Sequence, residues 1–171
     1  GICLGLQIAV MEFSRNVVGL NDVNSTEFSS NCTHPVIALV SEWTSKDGNR
    51  EFRKKEDELG GTMRLGAQIT NIAPNTRSFQ IYQSETIFER HRHRYEVNND
   101  YLEKLTSAGL VVSGISEDDL VEMIELPDHS WFIGCQFHPE FLSTPRDAHP
   151  LFSSFIVAAC SYRDKKRKQK Y

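Results

Sequence analysis

The opening pentapeptide Gly1-Ile2-Cys3-Leu4-Gly5 constrains this chain more than any other stretch. A cysteine with a glycine two residues away on each side, running straight into helical spacing, has the form of a nucleophile elbow, the sharp turn that joins a strand to a helix. Such a turn presses the backbone around the nucleophile against its neighbours and favours flanking residues without a Cβ, which Gly1 and Gly5 supply. The helix behind the turn points its positive end at the sulfur, an arrangement expected to lower a thiol pKa that otherwise lies near ~8.5. Cys3 is thus a candidate nucleophile, although the spacing alone also fits a buried structural cysteine after a turn.

Downstream patterning predicts an α/β chain. Leu6, Val10, Phe13 and Val17 fall at helical intervals from Leu4 to Val18, with Gly19 as the stop. Pro35–Val40 reads as a short strand, whereas Glu42–Leu59 is dense in charge and reads as an exposed loop or hairpin. Ala67–Ile72 is a strand candidate leading to a helical or turn segment at Phe79–Tyr82. Thr86–Phe88 and Tyr95–Val97 favour extended structure on either side of the basic cluster Arg90–Arg94. Asp100–Ala108 has helical spacing closed by Gly109. Leu110–Ile115, Leu120–Leu126 and Trp131–Phe137 are three further strand candidates. Pro150–Tyr162 is a last helix, and the basic end at 163–171 is expected to be a disordered tail.

Composition sets the context for the cysteine. At 171 residues the chain is long enough for one domain with its own core, expected over residues 1–162. Cys3, Cys32, Cys135 and Cys160 show no C-x-x-C spacing, which favours reduced thiols and a cytoplasmic setting over zinc or a disulfide framework. No apolar run reaches the ~20 residues that cross a bilayer. The net charge of −4 gives no reason to expect nucleic acid, and no membrane or nucleic-acid partner is predicted.

The chemistry needs a base, and His138-Pro139-Glu140 offers one. A histidine titrates near ~6.5 and can act as both acid and base at neutral pH. If this segment is extended, His138 and Glu140 project to one side, so the carboxylate can orient the imidazole of a Cys-His-Glu triad. Alone, His138-Pro139-Glu140 fits a satisfied histidine at a strand end better than a catalytic base, and it is the elbow at Cys3 that reverses the preference. His91 and His93 suggest a metal pair only weakly, because no third ligand stands near them at ligand spacing, and no metal is predicted.

The blocks Cys3-Leu4-Gly5-Leu6-Gln7 and Gln136-Phe137-His138-Pro139-Glu140-Phe141 together resemble the signature pair of class I glutamine amidotransferases. Between them, Asn24–Phe28, Gly60–Gly66 and Glu89–Asn98 resemble the glutaminase domains of CTP synthases, in the same order along the chain. The resemblance implies a flavodoxin-like sheet with flanking helices. It also implies N-terminal strands, and a second oxyanion donor beside the Leu4 N–H, upstream of residue 1 and therefore missing from this chain.

The same resemblance implies that Cys3, His138 and Glu140 hydrolyse L-glutamine, and that Leu4, Gly5, Leu6, Gln7, Glu27 and Arg94 hold it. Glu27 suits its α-ammonium and Arg94 its α-carboxylate. Gly61, Thr62 and Arg64 resemble a regulatory lid through which GTP acts as allosteric activator. The ammonia would serve ATP-dependent amination of UTP to CTP in a synthetase domain, where the ATP, UTP and Mg sites would lie, in an enzyme that is a homo-tetramer when full length. No cofactor is expected in this chain itself. A free-standing γ-glutamyl hydrolase, or a catalytically incomplete fragment serving as an interaction module, are the alternatives.

Overall fold

The computed structural model describes residues 1–39, 42–44, 50–52 and 63–168. The chain begins extended: Ile2 bridges Cys135 in parallel, Cys135 N–H donates to Gly1 O at 2.8 Å, and Cys3 N–H donates to Cys135 O at 2.7 Å. Helix α1 (Leu4–Asn16) follows at once. Its buried Leu6, Val10 and Phe13 form the predicted stripe, but Val17 lies past the helix and is exposed. Gly19, at φ 81°, takes the left-handed conformation that ends the run, as expected.

A small sheet comes next. β1 (Val23–Ser25) pairs in parallel with β2 (His34–Leu39), which pairs antiparallel with β7 (Tyr95–Val97). β3 (Glu42–Thr44) and β4 (Arg50–Phe52) form an antiparallel pair within the charged stretch read as a loop or hairpin. The main sheet has five antiparallel strands in the order β10-β9-β8-β5-β6. These are β5 (Arg64–Ile72), β6 (Thr86–His93), β8 (Val111–Ile115), β9 (Val121–Glu125) and β10 (Ile133–Cys135). Helix α2 (Arg77–Tyr82) links β5 to β6, and α3 (Leu102–Ser107) precedes β8.

The core lies on both faces of this sheet. One cluster joins Leu6, Val10 and Phe13 of α1 to Val36, Ile37, Val97, Val121 and Ile124. The other gathers Ile72, Met123, Ile133, Phe137 and Leu151, with Phe79 and Tyr82 of α2 packed against it. Covered on both sides, β9 is buried at every residue. Burial even includes Glu125, whose carboxylate accepts from Arg77 N–H at 2.9 Å and Ser78 N–H at 2.6 Å, capping the positive end of α2. The fold is the α/β arrangement with flanking helices that was predicted.

Two expectations need correction. The basic cluster does not interrupt extended structure: β6 runs unbroken from Thr86 to His93, its burial alternating strictly and placing Ile87, Glu89, His91 and His93 inward. The basic end is not a tail from 163, because α4 (Pro150–Lys168) continues through Lys168. Lysine and arginine are good helix formers, and Lys165–Lys168 lie at the negative end of the helix dipole.

Candidate active site

Cys3 has φ 51° and ψ −109°, a strained conformation for a residue with a Cβ and the backbone signature of an elbow. The two glycines differ in what they do. A Cβ on Gly1 would stand 2.5 Å from Gly5 O and 2.6 Å from Gly5 C, so the turn requires glycine there. A Cβ on Gly5 would meet nothing within 4 Å, which removes the steric reason given for that glycine.

Within the first turn of α1, Gly5 N–H is held by Ile2 O, while Leu6 and Gln7 N–H both bond to Cys3 O. The Leu4 backbone N–H favours the charged form of the Cys3 sulfur. Gln136 Nε2 lies 3.7 Å from the same sulfur, and Gln7 Nε2 donates to Gln136 Oε1 at 3.3 Å and to Tyr95 O at 2.8 Å. The expected lowering of the thiol pKa is not found. Burial pushes the Cys3 thiol up, the Leu4 N–H opposes this, and the carboxylates of Glu96, Glu140 and Glu27 add to the rise.

His138 and Glu140 meet by a different route from the one predicted. The segment is not extended: residues Pro139–Leu142 form a 3-10 turn that carries Glu140 Oε1 to 2.5 Å from His138 Nδ1. With Nδ1–H given to the carboxylate, Nε2 keeps its lone pair. Phe141 stacks on the imidazole at 4.9 Å. Strand β6 brings the pieces together: His138 N–H donates to Arg90 O at 2.8 Å, and two residues along, Arg92 O lies 4.0 Å from the Cys3 sulfur.

A cavity of about 260 Å³ opens at Cys3. Leu4, Gln7, Glu27 and Arg94, four of the residues expected to hold the substrate, line it. Gly5 and Leu6 are not in its wall, and the Leu6 side chain is wholly buried in the core. Met63, Arg92, His93 and Tyr95 complete the wall and were not foreseen. Arg92, His93 and Tyr95 were within a quoted motif, but residues of both parities line the wall, so strand alternation alone does not place them. Gln136 was also within a quoted motif, but only folding shows that its amide reaches Cys3.

Of the three expected lid residues, Gly61 and Thr62 lie outside the described residues. Arg64 is in β5, and its guanidinium is nearly buried against Glu122 Oε1 at 2.6 Å, Glu96 Oε1 at 3.3 Å and Gln68 Oε1 at 2.7 Å. Burial works against the Arg64 charge, but the two carboxylates outweigh it. Burial raises Glu96 to about 8, with Glu122 adding and Arg64 opposing, and raises Glu122 to about 7 against the pull of Arg64.

Burial also lowers His91 and His93 to about 3, so both are neutral. His93 Nδ1 faces the acceptors Tyr95 O and Glu96 Oε1, both at 3.3 Å, and so carries its proton there. Its Nε2 then accepts from His91 Nδ1–H at 2.9 Å. The fold supplies the third ligand the sequence lacked: donor atoms of His91, His93 and Glu122 lie within 4.8 Å of one another. Arg64 already supplies the cation that these carboxylates face.

No helix among the described residues is long and apolar enough to cross a membrane. The family model described as glutamine amidotransferase class-I matches residues 1–158. The glutaminase domain of Trypanosoma brucei CTP synthase, solved with bound acivicin, superposes with a TM-score of 0.80 at 40% identity. That match covers 94% of this chain, which spans 59% of the trypanosomal chain's length. A Thermoplasma acidophilum protein described as part of a GMP synthase matches over 61% of this chain and 48% of its own, at 19% identity and a TM-score of 0.48, too slight a likeness to bear on function.

Proposed function

The chain belongs to the class-I glutamine amidotransferases, and on that premise we propose that it hydrolyses glutamine at Cys3 and supplies the ammonia to the amination of UTP by a CTP synthase. The observation that carries the reading is the strained elbow cysteine at a cavity whose wall holds both Glu27 and Arg94. A carboxylate and a guanidinium on one wall match the ammonium and carboxylate of an α-amino acid.

In this reading His138 Nε2 takes the Cys3 proton, and the thiolate attacks the side-chain amide carbon of glutamine. The Leu4 N–H stabilises the oxyanion of the tetrahedral intermediate. Collapse breaks the C–N bond, His138 returns the proton to the departing ammonia, and a γ-glutamyl thioester remains. His138 then removes a proton from water, whose attack on the thioester releases glutamate and the Cys3 thiol. Glu140 holds the neutral imidazole in the Nδ1–H tautomer and stabilises the imidazolium that forms when Nε2 takes a proton. Because the free thiol is pushed up, substrate charge near Glu27 favours the step: an ammonium there offsets one of the carboxylates that oppose thiolate formation.

ATP, UTP and magnesium belong, on this proposal, to a synthetase domain that receives the ammonia. GTP activation, cytoplasmic location and tetrameric assembly of the full enzyme are parts of the same proposal. The test is mass spectrometry after exposure to 6-diazo-5-oxo-norleucine, a glutamine-mimicking electrophile, with excess glutamine and Cys3→Ala as controls. Stoichiometric labelling at Cys3 that glutamine blocks is expected. Equal labelling of Cys32 and Cys160, or none at Cys3, refutes the reading.

A further inference from the structure

Glu140 is the exposed member of the His138–Glu140 pair, with 44% of its side chain accessible, so burial does not hold this arm in place. Both ends of the segment from His138 to His149 are instead fixed to adjacent residues of β6. At one end His138 N–H bonds to Arg90 O at 2.8 Å. At the other, His149 Nε2 lies 2.7 Å from Glu89 Oε1 with both side chains buried, and Tyr82 Oη donates to the same oxygen at 2.8 Å.

The tautomer follows from the contacts. His149 Nδ1 accepts from Leu151 N–H at 3.3 Å, so the ring proton sits on Nε2 and is donated to the carboxylate. His149 also begins α4, its carbonyl accepting from Phe152 and Ser153 N–H. The rigid helix end is thereby tied to the strand whose Arg92 carbonyl faces the Cys3 sulfur.

We propose that Glu89, His149 and Tyr82 are positioning residues for the glutaminase reaction: the buried carboxylate on β6 clamps the far end of the His138–Glu140 arm and so fixes the imidazole relative to Cys3. The inference rests on the proposed glutaminase reading for its kinetic consequence, but not for its structural one. An apolar residue at 149 removes the arm's side-chain tie to β6 at that end and leaves the Glu89 carboxylate short of a donor, while Leu151 still packs in the core. Substrate binding at Glu27 and Arg94 is untouched, because neither residue belongs to the arm.

The experiment compares His149→Phe, His149→Gln and Tyr82→Phe in the full chain. For His149→Phe, kcat for ammonia release is expected to fall at least about tenfold with KM within about twofold, after normalising to sites titrated by the diazo electrophile. His149→Gln, which keeps a donor within reach of Glu89, recovers most of that loss. Tyr82→Phe shows the same pattern at smaller amplitude. Hydrogen exchange read at the His138 amide accelerates in His149→Phe and not in His149→Gln, a measurement independent of turnover.

Wild-type kcat and unaltered exchange in both His149→Phe and Tyr82→Phe overturn the clamp. So does a loss of kcat matched by loss of titratable sites, which marks general unfolding. If His149→Phe does not fold, Tyr82→Phe decides by the same criteria. Failure of the wild-type chain to release ammonia, with the exchange pattern as expected, sinks the glutaminase reading and leaves the clamp standing.

Discussion

Replacing Arg64 by methionine removes the guanidinium from a pocket it shares with two carboxyls that are 0% and 2% accessible. With His91 and His93 neutral, Arg64 is the cation that faces Glu122 and Glu96 among the described residues, and Glu96, raised to about 8, keeps its proton at neutral pH. The unfolded chain releases both carboxyl protons near the ordinary 4.5, whereas the folded chain holds them to about 7 and about 8. The folded state therefore binds more protons in this window, and stability falls as pH rises through it, by roughly 1.4 kcal/mol per unit for each carboxyl. Arg64 ends that fall by letting the carboxylates ionise.

In Arg64→Met the fall continues upward. At about pH 6 the variant lacks mainly its charged hydrogen bonds, a loss of roughly 1–3 kcal/mol. By about pH 8.5 the unrelieved carboxyls bring the deficit to roughly 3–5 kcal/mol, the range for a broken buried ion pair. Urea unfolding of the full chain, followed by tryptophan fluorescence at both pH values, measures it. Staying above about pH 6 matters because His91 and His93, lowered to about 3, contribute stability that is lost as pH falls below the ordinary 6.5. A deficit that is the same at both pH values refutes the charge argument and assigns Arg64 to packing by its aliphatic stem.

The two elbow glycines should part company. Gly1→Ala drives a Cβ into the Gly5 carbonyl and is expected to cost roughly 1–3 kcal/mol and slow alkylation of Cys3, whereas Gly5→Ala changes stability by less than about 0.5 kcal/mol; equal urea midpoints for the two variants contradict this. In the absence of glutamine, alkylation of Cys3 by iodoacetamide is expected to rise with a midpoint above that of a free cysteine measured alongside, and Glu27→Gln to move it downward by removing a like charge. A midpoint below that of the free cysteine, or an upward move in Glu27→Gln, contradicts the electrostatic account.

The elements that residue order made legible are those whose physics is local. The helix after Cys3 shows in its apolar spacing, its end in Gly19, and the close of α3 in Gly109 at φ 101°. Strand β6 was legible only in part, because its buried face is Glu89, His91 and His93, residues that ordinarily mark a solvent-facing loop. Their burial is tolerable only because Tyr82, His149 and Glu122 arrive from other segments to face them, with Arg64 in turn pairing with Glu122. Likewise the strand pattern expected at His138-Pro139-Glu140 gave way to a 3-10 turn, seated by a hydrogen bond to a carbonyl far away in sequence.

By itself, the sequence determined which residues stand as candidate nucleophile, as its companion histidine and carboxylate, and as the proposed glutamine contacts Glu27 and Arg94, because each is carried by a short motif. Only the tertiary structure decided that Arg64 is a buried counter-ion, that Gln136 reaches Cys3, that Leu6 belongs to the core, and that the thiol is pushed up where a helix end alone would lower it. The physical reason is the same in every case. Burial and charge pairing are properties of neighbours in space, and Arg64, Glu96 and Glu122 become neighbours only once their strands have brought them together.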